Sequence, residues 1–189
     1  SSVVALLDEH LDSKFPLHAA ARNGDVDAMT QLLDGGADVD AKMDGATPLF
    51  VACGGGHVDA ALLLLDHGAE VDLEIDENGV TPLLVACQLG HVDAVRLLLA
   101  RGANAEKAMK GVLTPLLFAC QQGHVDLARV LLEGGAEVDQ SLVLDTTPLF
   151  CACEEGHTDV ARLLLDHGAD VNHKSRYHTT PLCDACERG

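Results

Sequence analysis

Basic residues are scarce in this chain. Lys and Arg number 12 against 30 Asp and Glu, for a formal net charge of −18 over 189 residues. So acidic a chain has no electrostatic pull toward a phosphate backbone, and nucleic acid is not an expected partner. Anionic membrane surfaces are disfavoured for the same reason, whereas a basic partner gains mainly through faster encounter. Long apolar runs are missing too. The longest, Ala60 to Leu65, falls far short of the roughly 20 residues a bilayer crossing needs. No signal-peptide pattern is present. A phosphate loop is also lacking, because Gly54-Gly55-Gly56 follows no strand and precedes no Lys-Ser/Thr. Asp66-His67 and Asp166-His167 have the composition of acid/base pairs, but no Ser or Cys nucleophile accompanies them at consistent spacing. Both pairs stand just before Gly-Ala, where a histidine suits the negative end of a helix dipole. No catalysis and no cofactor are expected.

What the chain does have is a period. Thr-Pro-Leu occurs at Thr47, Thr81, Thr114, Thr147 and Thr180, with a degenerate copy at Phe15-Pro16-Leu17-His18. The spacings are 34, 33, 33 and 33 residues. A fixed period of this size marks an array of one supersecondary unit. In each unit Thr is placed to cap a helix whose first position is Pro, where no backbone donor is lost. A short apolar helix follows, as in Pro82-Leu83-Leu84-Val85-Ala86-Cys87, and stops at Gly-His. Glycine there suits the left-handed residue after a helix end. A second helix, as in Val92 to Leu99, stops at Gly-Ala. From each Thr to the Gly of that Gly-Ala is always 21 residues, whereas from that Gly to the next Thr the distances run 11, 13, 12, 12 and 12. Length varies only in the connection. A packed helix pair cannot absorb a residue without rotating its apolar face, and a surface turn can.

Thr-Pro-Leu, Ala-(Ala/Cys), Gly-His, Leu-Leu-Leu and Gly-Ala at these offsets resemble ankyrin repeats over nearly the whole chain. The resemblance implies an all-α repeat fold, a solenoid of antiparallel helix pairs with a protruding hairpin finger per repeat. It divides the chain into an N-terminal helix over residues 1–14, a cap or a truncated repeat, and a repeat domain over 15–189. That domain holds five repeats and the opening helix of a sixth. The chain is accordingly expected to be part of a longer protein. One slot departs from the family pattern. After Thr-Pro-Leu the family usually carries His, and here the residues are Phe50, Leu84, Leu117, Phe150 and Cys183, with only His18 keeping it. Apolar contacts are expected to replace that polar network. The turns also lack the usual glycine at Val112, Asp145 and His178.

Seven cysteines are present, and five of them (Cys53, Cys87, Cys120, Cys153 and Cys186) share one slot. Successive slots lie about 10 Å apart by ordinary helix packing, too far for a disulfide, which needs Cα atoms within about 7 Å. Reduced, structural cysteines are expected, and with them a cytoplasmic or nuclear location. Cys-x-x-x-His recurs from Cys53/His57 to Cys153/His157. Gly interrupts each pair and each supplies two ligands of a usual four, so no metal is expected. The same reading applies to Cys151, Cys153, Cys183 and Cys186. Each His is expected to bridge its own turn by hydrogen bonds.

Family resemblance places partner contacts at the finger tips, at the residue between Thr-Pro-Leu-x and Ala, and at the two residues before Gly-His. In this sequence those positions give Met43, Val51, Glu77, Asn78, Val85, Gln88, Leu89, Met109, Leu113, Phe118, Gln121, Gln122, Val143, Leu144, Glu154, Glu155, Tyr177, Asp184 and Glu187. They describe a groove with an apolar centre around Leu89, Leu113, Phe118 and Leu144 and an acidic floor around Glu154, Glu155 and Glu187. The expected function is a monomeric module that binds a basic peptide or protein segment with an apolar anchor. The alternatives are a self-assembling scaffold element, or the regulatory or substrate-receptor part of a larger enzyme or ubiquitin ligase.

Overall fold

The computed structural model describes residues 14–75, 77–141, 145–176, 178–181 and 183. The helix expected over 1–14 lies outside these, Lys14 excepted. Ten helices are described: α1 (Pro16–Asn23), α2 (Val26–Asp34), α3 (Pro48–Gly54), α4 (Val58–Asp66), α5 (Pro82–Gln88), α6 (Val92–Ala100), α7 (Pro115–Gln122), α8 (Val125–Glu133), α9 (Pro148–Glu154) and α10 (Thr158–Asp166). They fall into two compact units that part between Ala103 and Asn104.

The first unit holds α1 to α6. Its first helices α1, α3 and α5 pack side by side, as do its second helices α2, α4 and α6, and each first helix packs on the second helix that follows it. The second unit repeats the arrangement with α7 to α10. Helix α3 is squeezed between α1 and α5, and Pro48 to Cys53 are buried without a break; Pro82 to Cys87 of α5 are buried as continuously. A helix of seven residues with no polar face cannot stand alone and takes its stability from this packing. Second helices bury one stripe only, such as Ala94, Val95 and Leu98 of α6.

The start of each first helix after α1 is set by its threonine; α1 follows Phe15, which makes no cap hydrogen bond. Thr47, Thr81, Thr114 and Thr147 are buried, and each Oγ1 accepts the N–H three residues on at 3.2, 3.2, 3.2 and 3.3 Å. Thr180 accepts from Cys183 at 3.4 Å in the same way. The stop is set by glycine and histidine together. Gly56 has φ +70°, and a Cβ there would lie 2.6 Å from Nδ1 of His91. Both conformation and space therefore demand glycine.

The histidines correct an expectation. His57, His91 and His157 reach past their own turns. His57 Nε2 donates to the carbonyl of Arg22 at 2.8 Å, His91 to Gly54 at 3.1 Å and His157 to Gln121 at 3.0 Å. Each ring reaches back one repeat and satisfies a carbonyl left over at a helix end. A second ladder ties the fingers. Asp40 accepts the N–H of Glu70 at 3.1 and 3.2 Å, Glu106 that of Glu137 at 3.0 Å, and Asp139 that of Asp170 at 3.1 Å. Burial raises the pKa of Asp40 and of Glu106.

Phe50, Leu84 and Leu117 are buried at 3, 1 and 4% exposure, so the expected apolar filling is present where His would stand. Phe150 is half-buried and Cys183 exposed. His18 keeps the polar role, donating from Nε2 to the carbonyl of Ala46 at 3.1 Å. Burial pulls its pKa below the usual histidine value.

Candidate functional site

The fingers begin at helix-two glycines and turn tightly. In the first, Met43 and Ala46 exchange both backbone hydrogen bonds at 2.9 Å around Asp44-Gly45, with φ +50° and +89°. Asp-Gly is the pair such a two-residue turn prefers. In the third finger the left-handed positions are Lys110 (φ +54°) and Gly111 (φ +65°), so the turn glycine is Gly111 and not a residue missing at Val112. Asp145 (φ +53°) and His178 (φ +61°) turn without glycine, as read from the sequence.

Within the first unit, Glu77 and Leu89 are exposed, and Asn78 and Gln88 half-buried. Leu89, at 46% exposure, is one of four large apolar side chains in solvent among the described residues. Beside it Gly54 leaves an open floor: a Cβ there would meet Val85 and Leu89 only at 3.5 and 3.9 Å. Met43, Val51 and Val85 do not line this surface. They are 3, 5 and 0% exposed and belong to the core. Helices α1 and α5 flank α3 and close over Val51, and Met43 turns inward beneath its finger.

Within the second unit, Gln121, Gln122 and Glu155 are exposed, and Met109, Leu113, Phe118 and Glu154 half-buried. The Phe118 ring lies 6.3 Å from that of His124. Cys151 is buried beneath this surface, and burial, with Glu154 and Glu155 adding to it, pushes its thiol up to about 12. Cys53 and Cys87 of the first unit are likewise held at about 12 by burial. A thiol kept protonated is a poor nucleophile and a poor metal ligand. Among the described residues no group of three or more His, Cys, Asp or Glu is placed to hold a metal. Val143, Leu144, Tyr177, Asp184 and Glu187 lie outside the described residues.

Sequence reading missed a second surface in this unit. Leu149, Cys153, Ala161, Leu165, Val171 and Pro181 line an apolar cavity of about 250 Å³. Leu165 and Val171 are 44 and 49% exposed.

The chain belongs to the ankyrin repeat family. The family's three-copy pattern, "Ankyrin repeats (3 copies)", matches residues 2–75, 17–110, 71–142, 106–175 and 139–189. Ankyrin repeat domains are in general protein–protein interaction modules without enzymatic activity. Among solved structures, an ankyrin repeat domain from Acinetobacter baumannii AYE is similar with a TM-score of 0.86 and 31% identity, over 93% of this chain and 92% of that one. The human ASB11 ankyrin repeat domain is similar with a TM-score of 0.76 and 35% identity, over 90% of this chain and 76% of that one. No curated protein sequence matches. Among the described residues no helix is long and apolar enough to cross a membrane.

Proposed function

We propose that the chain binds a basic segment of a protein partner, bearing an apolar or aromatic anchor, on its fingers and the exposed ends of its first helices. One observation carries this reading. The framework recurs from repeat to repeat, while the two residues before Gly-His (Gly24-Asp25 in the first repeat) differ in each: Arg22-Asn23, Gly54-Gly55, Gln88-Leu89, Gln121-Gln122 and Glu154-Glu155. Framework positions are held by packing, and these positions are what a partner would meet. The net charge of −18 favours basic flanks on that partner. The free, buried thiols support a reducing cytoplasmic or nuclear setting. The test is a peptide-display selection on the chain, with a Phe118→Ala/Glu154→Lys/Glu155→Lys variant as counter-selection. The expected result is a motif with an apolar anchor and Arg or Lys beside it, lost on a variant that melts within a few degrees of the parent. Enrichment indifferent to the variant would sink the reading.

Self-association is the second reading, favoured by the apolar cavity at Leu165 and Val171. Light scattering across concentration and salt separates the two. A salt-insensitive oligomer that Leu165→Glu dissociates supports assembly, and a monomer throughout sets it aside.

A further inference from the structure

The chain has four asparagines, Asn23, Asn78, Asn104 and Asn172. Two of them, Asn23 and Asn78, precede glycine. Glycine is the neighbour that least hinders attack of its own backbone nitrogen on the asparagine side-chain amide carbon. The fold treats the two pairs differently. Asn23 is the last residue of α1, where the N–H of Gly24 is held by the carbonyl of Ala21 at 3.3 Å and that of Asp25 by Ala20 at 2.9 Å. The ring of His57 packs against Gly24 and fixes that end further. Helical backbone angles turn the following nitrogen away from the side chain it would attack. Asn78-Gly79 lies instead in the second finger, within the turn that Ile75 N–H to Val80 carbonyl closes at 3.0 Å. This finger is the longest of the set, 13 residues from Gly68 to Thr81. No helix fixes the backbone at Asn78, and Gly79 sits at φ +72°. The other two asparagines precede larger residues, Asn104 the buried Ala105 and Asn172 the bulky His173.

We propose that Asn78 is a covalent modification site, a deamidating asparagine that converts the second finger to its aspartate and isoaspartate forms. The Gly79 nitrogen gives up its proton to solvent base and bonds to Cγ of Asn78. The Cγ–Nδ2 bond breaks and the nitrogen leaves as ammonia, closing a succinimide. Water then opens that ring at either carbonyl, giving aspartate or isoaspartate, with no change of oxidation state. Either product adds a negative charge next to exposed Glu77. The isoaspartate also inserts a methylene into the main chain ahead of buried Val80 and the Thr81 cap. The site stands independently of the binding reading. If that reading also holds, Asn78 lies in the contact set and the aged chain binds its partner differently from the fresh one.

The test is incubation of the folded chain at mildly alkaline pH, with peptide mapping by mass spectrometry and isoaspartate counted by enzymatic methylation. A parallel sample is held in urea. Conversion in the folded chain is expected at Asn78, on the order of tenfold faster than at Asn23, which must first open its helix end. In urea the two Asn-Gly pairs should convert at similar rates. Asn78→Gln should remove the isoaspartate signal from the folded sample. Survival of Asn78 in the folded chain over a period that converts it in urea would overturn the proposal. So would equal conversion of Asn23 and Asn78 while folded.

Discussion

Gly54 is a glycine at a helical position where a side chain would fit. It closes α3, its φ is not left-handed, and an added Cβ would make only ordinary contact with Val85 and Leu89. Glycine inside a helix costs about 1 kcal/mol relative to alanine. Gly54→Ala should therefore raise stability by up to about that amount, read as a higher midpoint in urea. His18 offers a second test. Its pKa is lowered by burial from 6.5, so the folded chain holds it neutral while the unfolded chain takes up a proton as pH falls through that value. The sign follows from linkage: where the unfolded state binds more protons, stability falls with falling pH. Below about pH 6.5 this group withdraws stability until its folded pKa is reached. His18→Leu, which copies the filling used at Leu84 and Leu117, should flatten the acid-side loss of Tm between pH 7 and 5.

At the scale of the element, each first helix after α1 depends on a threonine cap more than on its own propensity. Thr81 is fully buried, and its Oγ1 is the acceptor for Leu84 N–H. Thr81→Ala leaves that donor without a partner in the core and should cost about 1–2 kcal/mol in a urea titration. Thr81→Ser should recover most of it. This layer was legible in the sequence. Thr-Pro marks the start of every first helix after α1 and Gly-His its stop, and Gly-Ala follows every second helix. What the sequence did not disclose is where side chains end up once neighbours surround them. Val51 and Val85 hold slots that face a partner in the family, yet here they are core, Val51 because α1 and α5 pack on either side of its helix. Met43 is next to a finger tip and is buried all the same. The histidines were legible as turn residues but not as ties to the preceding repeat, since a contact across some 35 residues leaves no local signature. The turn at Lys110-Gly111 was misplaced by one residue because finger length varies and hairpin register follows the turn residues themselves.

At the scale of the whole molecule, the surplus of acid acts in two opposite ways. Self-repulsion at a charge of −18 weakens the compact state, and the same field speeds a basic partner toward it. Salt screens both beyond about 8 Å at physiological ionic strength. Moderate salt should therefore raise the Tm of the chain while slowing association with a basic peptide about tenfold or more. Thermal melts and stopped-flow association over one salt series test the pair of signs together. A Tm that falls with added salt would show that the ordered cross-repeat carboxylate bonds, rather than diffuse repulsion, dominate the charge energetics.

The thiols in the first-helix slot carry an experimental consequence. Cys53 sits in α3, Cys87 in α5 and Cys120 in α7, each fully shielded, while Cys183 stands in solvent. A thiol reagent reaches a shielded cysteine only when its own helix opens, so each becomes a clock for the opening of one repeat. Labelling the native chain over time, and reading each cysteine by mass, would order the repeats by how often they open. That ordering would come from the protein without a single introduced probe.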